Sequence, residues 1–263
     1  MANSRGQHTL FLIILIFILS ISLYTYSFGF SKIKKYKVIN VYPHDSNAQT
    51  EGLIYHKGDL YEGTGPCLNG PSSLRKINIK TGDLLKYISL DPPIFGEGIT
   101  IFGDRIIQLT YKLKTGYVYS LKDFRLLEKF HYSSEGWGLT HNGKYLIMSD
   151  GTPTLHFLDP VTFKEIKKVI VHRNRKKISK INELEFINGR IYANVFLTDL
   201  ILVISPETGE VMESIGLKEV LGDYFNFDQG SPANGIAYDP ENNDLLITGK
   251  YWPNLFRISL PEE

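Results

Sequence analysis

A sequence motif that recurs five times along the chain restricts the fold more than any other feature of the sequence. Each copy contains a short apolar run, then a turn with Gly or Asn, then a second apolar run. Turns of this kind between alternating apolar strands require positive φ, which Gly and Asn tolerate, so each copy predicts a β-hairpin. The five copies begin at residues 52, 98, 138, 183 and 235.

Each hairpin is followed by a third apolar run, a second turn and a fourth run, at intervals of roughly 40 to 50 residues. Four short antiparallel strands repeated at this period are typical of a β-propeller. No repeat contains an amphipathic run of helical length, which excludes helical solenoids. The fifth copy provides only three strands before the chain ends, and the alternating segment 36–42 can supply the fourth. We therefore predict an all-β, five-bladed propeller over residues 36–260, closed by its N-terminal strand.

The N-terminal region, residues 1–35, has a different character from the repeats. Residues 9–30 carry no charge and are long enough for a membrane-spanning helix, with a basic linker after them. A signal peptide is the alternative, but the small residues expected before a cleavage site are sparse. The lysines after the segment favour a cytoplasmic location for the propeller that follows it. A tyrosine-rich β domain behind one apolar segment favours export of that domain instead. We expect an uncleaved helical anchor, with the propeller outside the cytoplasmic membrane.

The charge balance and the cysteine content limit the classes of partner. Twenty-nine basic and twenty-eight acidic side chains leave a formal charge of +1, which lacks the basic excess of a nucleic-acid binder. The single cysteine, Cys67, cannot form an internal disulfide and does not indicate a redox compartment. We expect no nucleic-acid partner and a monomeric protein.

Residues immediately before the small residue of each repeat should face the central channel, because the first strand of a blade lies beside the axis. A polar ring at this position is costly unless its members are hydrogen-bonded or functional. The ends of the second strands lead to the same mouth of the channel. The first set comprises Glu51, Glu97, Trp137, Asn182 and Asn234, and the second comprises Thr64, Tyr111, Asp150, Phe196 and Lys250.

The chain resembles the glutaminyl cyclases of the plant and bacterial type over residues 38–258, because eleven short motifs occur in the same order and at similar spacing. That family consists of five-bladed propellers that convert N-terminal glutamine into pyroglutamate and release ammonia. The motifs are PHD (43–45), TEGL (50–53), SSLR (72–75), FGEGIT (95–100), QLT (108–110), EGWGLT (135–140), SDG (149–151), NELE (182–185), ANV (193–195), NGIAY (234–238) and TGK (248–250).

The resemblance implies roles for individual residues. Glu97 matches the acid/base glutamate of the family, Asn182 an amide that binds substrate, and Lys250 the pocket lysine. Trp137 matches an indole that packs on the substrate. The resemblance implies no metal and no cofactor, and it implies the N-terminal glutamine of a peptide or protein as the substrate.

Four positions depart from the family pattern. Gln49 and Glu51 stand where the family often has Phe and Gln, and Tyr111 and Phe196 stand where it usually has Trp. We expect Tyr111, Phe196 and Gln49 to contact the substrate with Trp137. We expect Glu51 to share the proton transfers of Glu97 or to bind the substrate ammonium group.

Two other classes of function remain open at this stage. A metal-dependent, lactonase-like hydrolase could hold a divalent cation with the Glu and Asn residues of the ring. A non-catalytic peptide-binding propeller could keep the fold without the chemistry, as the departures at the pocket suggest. No histidine has the spacing of metal ligands, and we expect the seven histidines at turns or on the surface.

Overall fold

Five four-stranded antiparallel sheets and one short hairpin make up the part of the chain that the structure, a computed structural model, describes. The described residues are 36–68, 70–222 and 230–260. The predicted apolar helix at 9–30 lies outside them. Within the described ranges, no helix is long and apolar enough to cross a bilayer.

The sheets follow one another along the chain, and each has its strands in sequential order, except for the fifth, which includes the first strand. The first sheet contains β2 Thr50–His56, β3 Asp59–Thr64, β4 Ser73–Asn78 and β5 Leu84–Ser89. The second contains β6 Gly96–Phe102, β7 Arg105–Thr110, β8 Thr115–Ser120 and β9 Leu126–His131. The third contains β10 Leu139–His141, β11 Leu146–Ser149, β12 Thr154–Leu158 and β13 Glu165–Ile170.

A two-stranded hairpin, β14 His172–Arg173 and β15 Lys176–Lys177, precedes the fourth sheet. The fourth sheet contains β16 Ile181–Ile187, β17 Arg190–Val195, β18 Leu200–Ile204 and β19 Val211–Gly216, and helix α1 Leu217–Leu221 follows it. The fifth contains β20 Ala233–Asp239, β21 Asp244–Gly249, β22 Asn254–Ser259 and, at its outer edge, β1 Lys37–Pro43. Strand β1 pairs with β22 from Lys37 opposite Ser259 to Pro43 opposite Asn254.

The hairpin turns have the backbone conformation that the sequence predicts. Lys57 and Gly58 have φ of 51° and 88° between β2 and β3, and Asn188 and Gly189 have φ of 49° and 80° between β16 and β17. Two successive residues with positive φ form the turn that matches the twist of a two-residue hairpin. The prediction of hairpins from Gly and Asn is confirmed at these turns.

The first three strands of each sheet are mostly buried, and the fourth is the most exposed. Six of the seven residues of β6 are buried, whereas five of the six in β9 and in β13 are exposed. The first strands of neighbouring sheets contact one another, β2 with both β6 and β20, which places them at the axis. Side chains of neighbouring sheets pack between them, as Tyr61 and Leu74 do with Ile99 and Ile106.

Glycines at the start of the repeats permit the backbones of neighbouring inner strands to approach each other closely at the axis. A Cβ atom on Gly52 would lie 2.5 Å from the backbone nitrogen of Ile99, and one on Gly98 would lie 2.5 Å from the carbonyl oxygen of Trp137. The amide of Gly98 donates to that same carbonyl oxygen at 2.8 Å. Successive inner strands therefore touch through backbone, and the residue before each glycine is held at the channel mouth.

The expectation that histidines lie at turns or on the surface is wrong for two of them. The His44 side chain is 2% exposed and contacts Glu62 Oε1 at 3.1 Å and the carbonyl oxygen of Trp252 at 2.7 Å. The His156 side chain is 5% exposed and lies between Asp150 and Glu165. Both histidines are buried because each ring nitrogen has an oxygen partner, which offsets the cost of removing the ring from water.

Candidate active site

A pocket of about 210 Å³ opens at the mouth of the channel. It is smaller than the roughly 300–1,000 Å³ typical of sites for drug-sized ligands, so it suits one side chain of a larger substrate. All eight residues that the sequence assigns to the site line it, together with Phe95. The lining residues are Gln49, Glu51, Phe95, Glu97, Tyr111, Trp137, Asn182, Phe196 and Lys250.

Two sets of strand ends place these side chains. Glu51, Glu97 and Asn182 lie near the starts of the inner strands β2, β6 and β16. Tyr111, Phe196 and Lys250 directly follow the second strands β7, β17 and β21, which run back to the same mouth. Since the hairpins repeat with the same geometry, residues distant in sequence converge on one pocket.

Two members of the predicted sets have other partners. The hydroxyl of Thr64 is buried and bonds Ser73 Oγ at 2.7 Å. The carboxylate of Asp150 accepts from Thr152 and bonds His156 Nε2 at 3.0 Å. Neither residue lines the pocket.

Aromatic rings form one wall of the pocket around Trp137. The Tyr111 and Phe196 rings meet the Trp137 indole edge to face, with centroid distances of 6.4 and 5.6 Å. Phe95 packs against Tyr111 at 5.6 Å. The Trp137 Nε1 group donates to Glu135 Oε2 at 3.1 Å, which fixes the plane of the indole. The wall is rigid and presents apolar faces to whatever enters.

A buried ion pair forms the opposite side. Lys250 Nζ lies 2.6 Å from Glu51 Oε1 and 2.7 Å from Oε2, so the ammonium group contacts both oxygens. The side chains of Lys250 and Glu51 are 11% and 2% exposed. The ammonium also lies 5.4 Å from the centroid of the Phe196 ring, which favours a cation there.

Glu97 and Glu51 are hydrogen-bonded to each other through their carboxyl groups. Burial raises the pKa of Glu97 well above its usual value, and the neighbouring charge of Glu51 raises it further. Burial also raises the pKa of Glu51, but the Lys250 ammonium opposes this shift. The pair therefore holds one proton on Glu97, while Glu51 remains the carboxylate that faces Lys250.

Two asparagine side chains extend the hydrogen-bond network from the Glu51 carboxylate. Asn234 Nδ2 donates to Glu51 Oε2 at 3.2 Å and to the carbonyl oxygen of Thr50 at 2.9 Å. Asn182 Nδ2 donates to Asn234 Oδ1 at 2.9 Å. Asn234 is fully buried and does not line the pocket. One of the two N–H groups of the Asn182 amide is thus engaged by Asn234.

Gln49 lies at the rim and is held from two sides. Its Oε1 accepts from the hydroxyl of Tyr251 at 3.2 Å, and its side chain also bonds the Glu51 carboxylate. The sequence reasoning did not single out Tyr251 or Phe95. Phe95 could have been found, because it lies two residues before Glu97 and so shares its face of an extended strand.

No cluster of three or more His, Cys, Asp or Glu side chains suited to a metal ion occurs in the described ranges. The pocket itself contains two carboxylates, one of which is neutralised by a lysine. What the arrangement provides is a proton on a buried acid, a fixed cation beside it and an aromatic wall. These are the elements of acid/base chemistry on a bound polar group.

Comparisons with known proteins agree with this description. The family model described as glutamine cyclotransferase matches residues 13–260. A glutaminyl-peptide cyclotransferase of Arabidopsis thaliana is 39% identical over 235 residues, which cover 88% of this chain and 73% of the relative. The crystal structure of a glutaminyl cyclase from Myxococcus xanthus superposes with a TM-score of 0.77 at 33% identity, over 86% of this chain and 96% of that one.

Proposed function

The chain belongs to the glutamine cyclotransferase family, and we propose that it is a glutaminyl-peptide cyclotransferase, which converts the N-terminal glutamine of peptides or proteins into pyroglutamate with release of ammonia. The observation that carries this function is a buried, protonated Glu97 beside the Glu51–Lys250 pair in an aromatic pocket. The pocket takes one side chain, as an N-terminal residue requires.

The reaction is intramolecular and needs no nucleophilic side chain. The α-amine of glutamine attacks its own side-chain amide carbon, and ammonia leaves from the tetrahedral intermediate. The protein has to hold the substrate in a folded conformation, move one proton between the two nitrogens and stabilise the developing oxyanion.

Trp137, Tyr111 and Phe196 support the folded conformation, because their rings enclose the apolar stem of the glutamine side chain. In this assignment the wall limits the rotamers of the substrate and excludes water from the reacting atoms. The substrate therefore loses its conformational entropy when it binds, and the cyclisation step no longer has to restrict the chain. Smaller rings at Tyr111 and Phe196 than the usual Trp leave a wider pocket.

Glu97 carries the proton in a closed cycle. Its carboxylic acid donates to the leaving amide nitrogen, so that the carbon–nitrogen bond breaks and ammonia departs. The carboxylate left behind accepts a proton from the attacking amine, whose nitrogen becomes the lactam nitrogen. Glu97 ends protonated, as it began, and atoms and charges balance. Its raised pKa supports this role, because an acid that holds its proton more tightly than an exposed glutamate is a better donor close to neutral pH.

Lys250 stabilises the oxyanion in this proposal. A lysine ammonium has three N–H donors, and two of them are directed at Glu51. The third remains for the substrate carbonyl oxygen. Glu51 acts by holding the ammonium in place and by keeping the proton on Glu97, and it is not needed as a second acid.

The test is turnover of a Gln-led peptide, followed as the mass loss of ammonia, by the full chain and two variants. Glu97→Gln should lose about 10²–10⁴-fold in kcat with an unchanged melting temperature, as expected for loss of a general acid/base. Glu183→Gln is the matched control, because Glu183 is also a buried glutamate of raised pKa near the axis but does not line the pocket. Normal turnover by a folded Glu97→Gln protein would refute the mechanism.

We also propose that β1 closes the ring of sheets. Residues 9–30 anchor the protein in a membrane in this proposal. The propeller then works outside the cytoplasm, as a monomer. The continuous register of β1 on β22 supports the closure. The uncharged stretch of residues 9–30 supports the anchor. Alkaline extraction of membranes tests anchoring, protease digestion of intact vesicles tests the side, and light scattering tests the oligomeric state.

A further inference from the structure

Asn234 is linked to both halves of the site although it does not itself reach the pocket. It lies fully buried at the start of β20, between the Glu51 carboxylate on β2 and the Asn182 amide on β16. A buried amide with this pair of partners connects the charged side of the site to the residue that forms its polar wall.

The partners of Asn234 determine which way its amide faces. The carbonyl oxygen of Thr50 and the Glu51 carboxylate are acceptors only, at 2.9 and 3.2 Å, so the NH2 group must be directed at them. The Asn234 oxygen is then left on the side of Asn182, at 2.9 Å from the Asn182 nitrogen. The assignment of both amides follows from this network, since reversing either one would place two donors or two acceptors face to face.

The same network leaves Asn182 Oδ1 free. That oxygen is buried and has no hydrogen-bond partner among the described residues, and Asn182 lines the pocket. A buried acceptor without a donor is uncommon in native structures and calls for a ligand or a water. A donor entering with the substrate would satisfy it.

We propose that Asn234 is a positioning residue that fixes Asn182 with its oxygen available to the substrate, and that this oxygen accepts an N–H from the glutamine carboxamide. The inference rests on the proposed function. It gives the Asn182 oxygen the role of an acceptor toward the substrate, and it assigns to the pair the discrimination between glutamine and glutamate at the substrate N-terminus.

The discrimination follows from the chemistry of the two side chains. The carboxamide of glutamine donates to Asn182 Oδ1, whereas a glutamate carboxylate would set one acceptor against another. Leaving such a buried group unpaired is the strongest means by which a pocket rejects a close analogue. If Asn182 were free to turn over, its NH2 group would face the ligand and would favour the carboxylate instead.

The experiment measures, for the full chain, KM and kcat on a Gln-led peptide and the inhibition constant Ki of the Glu-led peptide of otherwise identical sequence. Asn234→Ala should lower the ratio of Ki to KM by at least about tenfold, because Asn182 is no longer held. In an Asn182→Ala background the same change should have no further effect on the ratio. Asn182→Ala alone removes the accepting oxygen and should lower the ratio by a similar factor, which tests the discrimination if Asn234→Ala proves too unstable to assay.

Asn194→Ala is the matched control. Asn194 is a buried asparagine that accepts from the amide of Gly235 at 3.1 Å and does not line the pocket. Its loss should lower the melting temperature and leave the ratio unchanged. A folded Asn234→Ala protein with the wild-type ratio, or a folded Asn182→Ala protein with the wild-type ratio, would overturn the proposal. Failure of the wild type to convert the Gln-led peptide would instead overturn the proposed function.

Discussion

Removing the Lys250 ammonium is the sharpest perturbation of the site, because it leaves the Glu51 carboxylate buried without a counter-ion. We consider Lys250→Met, which keeps the length of the side chain and deletes the charge. Glu51 is 1% exposed and loses both of its contacts with the ammonium. Breaking a buried ion pair by removing one partner costs about 3–5 kcal/mol.

That free energy corresponds to a large thermal shift. For a domain of this size, each kcal/mol lowers the melting temperature by about 2–4 °C, so Lys250→Met should melt about 6–20 °C below the wild type. The double variant Glu51→Gln/Lys250→Met removes both charges and keeps an amide oxygen for Asn234. It should recover most of the loss, because no uncompensated charge remains.

The loss should also depend on pH, with a defined sign. Without the ammonium, the pKa of Glu51 in the folded state rises further above the value of an exposed glutamate, about 4.5. A carboxyl group whose folded-state pKa is raised contributes stability at low pH and loses it as the pH rises through that pKa. The gap between Lys250→Met and the wild type should therefore widen from about pH 5 to pH 8.

Differential scanning calorimetry of the wild type, the single variant and the double variant across this range is the assay. A drop of less than about 2 °C at pH 8, or a double variant no more stable than Lys250→Met, would refute the claim that the pair is a desolvated, mutually dependent unit. A gap that narrows as the pH rises would refute the assignment of the carboxylate to Glu51.

Three further predictions concern other parts of the structure. Burial raises the pKa of Glu185 from about 4.5 to about 8, so wild-type stability should fall as the pH rises from about 4.5 to about 8, and the melting temperature of Glu185→Gln should rise relative to that of the wild type over this range. Gly151→Ala should raise KM several-fold and cost about 1–2 kcal/mol, because a Cβ there would lie 2.6 Å from the Trp137 indole at a φ of 77°. Gly143→Ala is the control, because Gly143 has a φ of 81° but no atom within 4 Å of the added Cβ. It should lose as much stability in a urea titration as Gly151→Ala and leave KM unchanged. Dialysis against EDTA should leave turnover of a Gln-led peptide unchanged, and a loss restored by a divalent cation would favour the lactonase-like alternative.

The repeat predicts most of the fold because each of its signals is local. A Gly or Asn pair such as Asn188–Gly189 can form only a few turns, and the apolar runs on either side must be extended. The position before the repeated small residue then identifies Glu51, Glu97 and Asn182 as neighbours, although they are distant in sequence. Such reasoning works where the same local geometry repeats, and it located seven of the eight proposed pocket residues; the eighth, Gln49, came from the comparison with the family pattern.

The partners of those side chains could not be predicted in the same way. Lys250 and Glu51 are 199 positions apart, and nothing local distinguishes an ammonium that binds substrate from one that binds a carboxylate. His156 alternates with Leu155 and Phe157 along β12, and its burial depends on Asp150 and Glu165, which lie on other segments. Hydrogen-bond partners that depend on long-range packing require coordinates.

The pairing of β1 with β22 has a consequence for the order of events during synthesis. About 210 residues separate Pro43 from its partner Asn254, and β1 has no other sheet to join in the described structure. At roughly 5–20 residues per second, this strand leaves the ribosome about ten seconds or more before its partner. During that interval its backbone donors and acceptors form an unprotected edge, to which another nascent chain can add a strand. The polar residues of β1, Lys37 and Asn40, lower the tendency of this segment to pair with another chain before β22 is made.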